Sequence, residues 1–269
     1  MNVILFASSD NYLRLYGSLF DAYEYFSFAV RFNPDLKMWF STLNLRVKSE
    51  VKQALKQRYT DTVTDKISFM NISEVFRKLL TTKIRKLFFF DLSSLRILQQ
   101  VPCQCQKIFY VTEFTSKDFL LNRKNVVYCS EMPFCRTDMK IRMRFFFETY
   151  RKFSEFENNL YVNYPKGKLE EVKDIIESVS KKPVLFKENK ALYDLHKHFD
   201  EYLYVKSPYW FDPHPRLFHE SKFYGKAYHY VNNLNVKDGS YYRYLDSIEN
   251  DISTRDMTTD DNLIQEMLT

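Results

Sequence analysis

The chain has 269 residues, enough for two compact domains, and 45% are hydrophobic, with 25 Phe and 20 Tyr supplying much of the bulk for packed cores. No apolar run approaches the roughly 20 residues that span a bilayer, and Cys103, Cys105, Cys129 and Cys135 lack the spacing of a zinc knuckle or redox pair, so they read as free thiols. With 40 Lys and Arg against 34 Asp and Glu, the net charge of +6 suits a polyanionic partner without requiring one.

Met1 to Phe6 has no basic leader and turns polar at Ser8-Ser9-Asp10, so it reads as a first strand rather than a signal peptide, and a cytoplasmic location is expected. Tyr12 to Phe32 follows as an aromatic-rich helix. Met38 to Phe40 is a strand, Leu45 to Tyr59 a charged helix, and Ser68 to Ile72 a further strand. Ser73 is a plausible cap for the next helix. Three strand signals then come at steady spacing: Leu87 to Phe90, Ile108 to Val111 and Val126 to Cys129. Each stops at polar residues, the pattern of a parallel sheet with crossover helices. Ligands of such sheets lie beyond the carboxyl ends of the strands, where Asp10, Asp91, Glu113 and Glu131 are expected.

Thr137 to Glu157 reads as one long helix. A second α/β run begins after Asn159: strand Leu160 to Tyr164, the turn Pro165-Lys166-Gly167-Lys168, and an amphipathic helix from Leu169 to Val179. Strand Val184 to Phe186, helix Asn189 to Phe199, strand Tyr202 to Val205, helix Asp212 to Tyr224, strand Ala227 to Val231 and helix Ser240 to Ser253 complete it. The expected organisation is an α/β chain of two Rossmann-like domains with parallel sheets, residues 1–157 and 158–254, and a polar tail over 255–269 that is frayed at least in part.

The segment from Phe211 to Lys226 carries the most chemistry. Asp212 suits an N-cap, Pro213 the first helical position, and Gly225 the stop. A helix starting at the carboxyl edge of a sheet aims free N–H groups at an anion such as a diphosphate. Arg216 is able to clamp phosphate bidentately, and Glu220 to accept two hydrogen bonds from a ribose diol. The plainer alternative makes Glu220 a solvated helix residue and Arg216 half of a surface ion pair. His196 and His198 stand two apart and no metal-binding spacing occurs, so no metal site is expected.

This segment resembles the donor-binding region of GT-B-fold glycosyltransferases, in which a Glu on a short helix ahead of a Gly-Lys or Gly-Pro step holds the ribose. Glu220 and Gly225-Lys226 match that pattern, and Lys166 and Lys168 match the family's basic cluster after the first strand of the donor domain. The resemblance covers residues 158–254 by element order. It implies a donor cleft between two domains, a nucleotide-sugar (a UDP-sugar) as co-substrate, no tightly bound cofactor, and metal-independent transfer. The family's Gly-rich first loop is replaced here by Ser8-Ser9-Asp10. For the base that deprotonates the acceptor hydroxyl, Asp10 is the first candidate, Asp91 the second and Glu113 the third.

Arg136, Lys140, Arg142 and Arg144 stand beside Phe145, Phe146, Phe147 and Tyr150, and cations interleaved with aromatics suit phosphates and unstacked bases. The alternative is an amphipathic helix whose Phe face is core. The excess of base lies before residue 158. Only four glycines occur, and the chain is rich in Lys, Asn, Phe and Tyr, a composition of AT-rich genomes. By type, these features resemble the enzymes of T-even-like bacteriophages that glycosylate hydroxymethylcytosine, implying double-stranded DNA as partner within an infected host. Two other readings stand beside it: transfer to a polysaccharide or small molecule, and a non-enzymatic nucleic-acid-binding or host-interaction protein.

Overall fold

The structure is a computed structural model, and it describes residues 2–9, 17–42, 47–90, 104–110, 126–130, 139–140, 145–164, 166–186, 195–205, 216–231 and 262–269. The chain divides into two compact units: Met1–Thr149 with Asp256–Thr269, and Tyr150–Arg255. Among the described residues no helix is long and apolar enough to cross a membrane.

The first unit is built on a seven-stranded parallel sheet. Its strands are β1 (Asn2–Ser9), β2 (Leu36–Thr42), β3 (Ile67–Met70), β4 (Ile84–Phe89), β5 (Gln106–Tyr110), β6 (Val126–Ser130) and β7 (Met139–Lys140), in the order β3-β2-β1-β4-β5-β6-β7. That is the order of doubly wound Rossmann sheets, with the direction of winding reversing between β1 and β4. Continuous apolar runs such as Leu87-Phe88-Phe89-Phe90, all buried, are what a strand covered on both faces requires. Helices α1 (Gly17–Ala29), α2 (Val47–Arg58) and α3 (Ile72–Thr81) follow the first three strands. Polar groups are drawn into this core as well. Tyr59 donates to Glu24 Oε1 at 2.6 Å, the Phe146 amide donates to Oε2 at 3.2 Å, and the Arg58 guanidinium lies over the Phe20 ring at 4.4 Å.

Three expectations for this unit are corrected. The cap of α3 is Asn71, not Ser73: its side chain accepts from the Glu74 amide and Glu74 accepts from the Asn71 amide, a reciprocal capping box. Thr137 to Glu157 is not one helix. It contains β7 and a 3-10 turn at Phe147–Thr149, with no helix from Tyr150 to Glu157. Consecutive helical residues point about 100° apart, whereas here Phe145 and Phe146 both reach the core and Phe147 stacks on Phe145 at 5.5 Å. The last residues are not a frayed tail. Asn262–Leu268 forms α6, whose Leu263, Ile264 and Met267 are buried. Lys86 Nζ donates to the Glu266 carbonyl and carboxylate and to Thr269 Oγ1, and Asn33 donates to the Met267 carbonyl. Carbonyls of a last helical turn need such partners, and a cation there also meets the helix dipole.

The second unit has a four-stranded parallel sheet of β8 (Leu160–Asn163), β9 (Val184–Phe186), β10 (Glu201–Val205) and β11 (Ala227–Val231), in the order β11-β10-β8-β9. Its winding reverses between β8 and β10. Period-two alternation gives the sheet two different faces. Leu160, Val162, Leu203 and Val205 pack with Val172 and Ile176 on one. Tyr161, Tyr202 and Tyr204 pack with Leu195, Phe199 and Phe218 on the other. On that face Tyr161 stacks on Tyr202 and Tyr204 on Tyr230, pairs set by the parallel register. The expected helix at Leu169–Val179 opens as a 3-10 stretch over Lys166–Val172 and becomes α4 only at Lys173–Val179. Residues 150–157, expected in the first domain, belong here because Tyr150 bonds Glu220, and Phe153 and Phe156 pack on Tyr224. The expected helix over Ser240–Ser253 lies outside the described residues.

Candidate functional site

Helix α5 (Arg216–Phe223) connects β10 to β11 and carries two of the expected donor residues, Arg216 and Glu220, with Gly225 just beyond its end. Its end is as the sequence suggests. Gly225 has φ of 67°, the Gly225 amide donates to the Lys222 carbonyl, and the Lys226 amide donates to the Ser221 carbonyl. Together these form a Schellman stop, which needs a left-handed residue at Gly225. Asp212 and Pro213 lie outside the described residues, so the helix is described from Arg216 onward.

Glu220 is wholly buried, and both carboxylate oxygens are engaged inside the second unit. Tyr150 donates to Oε1 at 3.1 Å, Arg216 lies 3.4 Å from the same oxygen, and His196 Nε2 sits 2.6 Å from Oε2. Arg216 also donates to the Tyr150 hydroxyl at 2.6 Å. The Arg216 side chain is 11% exposed, and burial pulls the guanidinium down to about 9, which leaves it charged at neutral pH. An ion pair this deep holds only because hydrogen bonds fill the remaining lone pairs.

Lys226 extends the cluster. Its ammonium donates to the His196 and Phe199 carbonyls and lies 3.6 Å from the Phe199 ring centroid and 4.2 Å from that of Phe156. Burial pulls it down to about 7, with Asp200 opposing the fall. His196 and Phe199 precede β10, and Lys226 precedes β11, so these groups gather at the amino ends of the two strands. Glu220 therefore turns toward the amino ends, whereas a ligand of a parallel sheet sits beyond the carboxyl ends.

The carboxyl edge of the second sheet is formed differently. β8 and β10 are neighbours, and the chain leaves β8 at Asn163 into the turn holding Lys166, Gly167 and Lys168. Lys168 makes a half-exposed ion pair with Glu171 at 3.3 Å. A side chain added at Gly167 would meet nothing within 4 Å, so the backbone there is open to approach. In the first unit, β1 and β4 run side by side to the same edge, and Asp10 and Asp91 follow their last described residues, Ser9 and Phe90. Asp10, Asp91, Glu113, Arg136, Arg142 and Arg144 themselves lie outside the described residues, and Lys140 is described only as backbone in β7. Of the aromatics set among those cations, Phe145, Phe146 and Tyr150 are buried and serve packing. Among the described residues no group of three or more His, Cys, Asp and Glu is placed to hold a metal ion. Cys105 is a buried free thiol, pushed up to about 11 by burial.

Thus the structure joins Arg216 to Glu220 and adds two partners that sequence reasoning did not single out, Tyr150 and His196. Neither has a local signal: each meets Glu220 across at least 24 residues of chain. Comparison of the chain with protein-family models, curated proteins and solved structures finds no match.

Proposed function

We propose that the chain is a glycosyltransferase of the GT-B type and that its second unit takes a nucleoside-diphosphate sugar at the carboxyl ends of β8 and β10. The observation that carries this reading is the strand order of that unit. β8 and β10 adjoin where the winding reverses, and the chain leaves both at that edge, from β8 into Lys166-Gly167-Lys168 and from β10 on the way to α5. A diphosphate bound there is met by the two lysines and by N–H groups where the helix begins. Cations and fixed N–H dipoles stabilise the charge that develops on the departing nucleotide, the largest contribution such a site makes to transfer.

Arg216 and Glu220 act on this reading as positioning residues. Their mutual bond, with Tyr150 and His196, fixes the rotation of α5 and so the aim of its leading end. Asp10 is the proposed base, with Asp91 and then Glu113 as substitutes. The proposed acceptor is a hydroxyl, on the resemblance that of hydroxymethylcytosine in DNA. DNA binding that depends steeply on salt would accord with that acceptor.

A thermal-shift screen with UDP, GDP, CDP and their sugars tests the reading. At about 100 times its Kd the correct donor stabilises the protein by roughly 2.7 kcal/mol. The shift should shrink in a Lys166→Gln, Lys168→Gln double variant. No shift with any of these ligands would sink it. A second reading is favoured by the burial of Glu220 and its three side-chain partners: the cluster is purely structural and the chain is a binding protein without activity. That reading predicts the silent screen.

A further inference from the structure

We infer that the first unit carries a separate binding site for a phosphate group at the amino edge of its sheet. A cavity of about 370 Å³ opens there, lined by Pro34, Lys37, Trp39, Lys66, Ser68, Lys78 and Thr82 among others. The register of β2 and β3 explains why these side chains meet. Trp39 is level with Ser68, and Met38 with Ile67, so Lys37 and Lys66 each stand one residue before that first pair. Side chains alternate along a strand. Lys37, Trp39 and Ser68 therefore share one face, and Lys66, closing the 3-10 turn Thr64–Lys66 just before β3, lines the same cavity, while Phe40 and Phe69 meet on the other face at 5.6 Å. Helix α3 brings Lys78 over the first face, its ammonium 5.7 Å from the centre of the Trp39 ring, and ends beside it at Thr82.

Three lysines thus line one cavity, and like charges gathered around one space repel one another. Among the described residues no ion pair joins Lys37, Lys66 or Lys78 to a carboxylate; the nearby Asp65 is paired with Lys52 instead. A lysine on an edge strand also discourages pairing with another chain. That role accounts for Lys66, which immediately precedes β3 at the sheet's edge, but not for Lys37 one strand further in or for Lys78 from the helix. A phosphate accounts for all three: its oxygens accept from the ammonium groups, and the hydroxyls of Ser68 and Thr82 add neutral donors. Trp39, itself buried, forms an apolar floor rather than a stacking platform. The cavity lies at the amino ends of β2 and β3 in the first unit, whereas the proposed donor site belongs to the second unit, so each is tested by its own variants.

Amide hydrogen exchange with inorganic pyrophosphate tests the site. In the full chain, protection should rise at 36–39, 66–68 and 78–82. It should be lost in a Lys66→Gln, Lys78→Gln double variant and kept in a Lys166→Gln, Lys168→Gln variant, which separates this site from the donor site. Affinity at the cavity should fall about tenfold for each lysine removed. Without pyrophosphate the double variant should melt higher than the parent, because mutual repulsion is relieved. Displacement of pyrophosphate by a short DNA duplex would identify a nucleic-acid backbone as the source of the phosphate; persistence of pyrophosphate protection would identify a small phosphate compound. Unchanged exchange at all three segments, or protection that survives in the Lys66, Lys78 variant, overturns the inference.

Discussion

The His196 imidazole and the Glu220 carboxylate meet at 2.6 Å with neither side chain reaching water, and through Glu220 the imidazole is tied to Arg216 and Tyr150. Removing the carboxylate leaves a buried guanidinium and a buried imidazole without their common acceptor. Glu220→Ala should therefore cost about 3–5 kcal/mol, the range for breaking one side of a buried pair. Urea denaturation followed in the second unit measures it. A loss under 1 kcal/mol, the level of an exposed pair, would show that the cluster does not hold α5.

Lys226 should make stability depend on pH. Burial lowers its folded-state value from 10.5 to about 7, while the unfolded chain keeps the higher value. Between those two pH values the unfolded chain binds the extra proton, so stability rises with pH across that window. Below about pH 7 both states are protonated and Lys226 contributes no slope. Urea midpoints at pH 7 and at about pH 9 should separate in the parent and converge in Lys226→Met. An equal separation in both proteins would assign the slope to other groups.

Deleting residues 262–269 should destabilise the first unit. It removes Leu263, Ile264 and Met267 from the core and takes every acceptor shown for Lys86, which is only 9% exposed. Fully burying one large aliphatic side chain contributes about 1.5–3 kcal/mol, so the loss should amount to several kcal/mol. The milder Lys86→Met, which keeps the apolar contacts, should lose less. A truncated chain with an unchanged denaturation midpoint would contradict the docking of α6.

Gly225→Ala isolates backbone strain. An added methyl would meet nothing within 4 Å, so only the positive φ of 67° is at issue. The expected cost is about 1–2 kcal/mol. A larger loss would mean that the stop of α5 carries more than its own turn.

At Asn71 a replacement by Ala should cost about 1 kcal/mol, because it removes the acceptor for the Glu74 amide and half of the capping box. The melting temperature of the full chain reads this directly.

Short-range information in the sequence was enough for the strands and their direction. Apolar runs such as Met38 to Phe40 and Leu160 to Val162, each followed by a helical pattern, leave few arrangements besides a parallel sheet, because a parallel connection needs a crossover. The stop of α5 at Gly225 was legible for the same reason: a left-handed residue is a local requirement. Tertiary structure decided what depends on partners far along the chain. Glu220 looks like a solvated or ligand-binding carboxylate until His196 and Tyr150 are brought to it, and the polar tail becomes α6 only because Lys86 and Asn33 supply donors to its end. Hydrophobic periodicity is written within a few turns of chain, but the neutralisation of a buried charge is written in whichever distant residue the fold sets beside it.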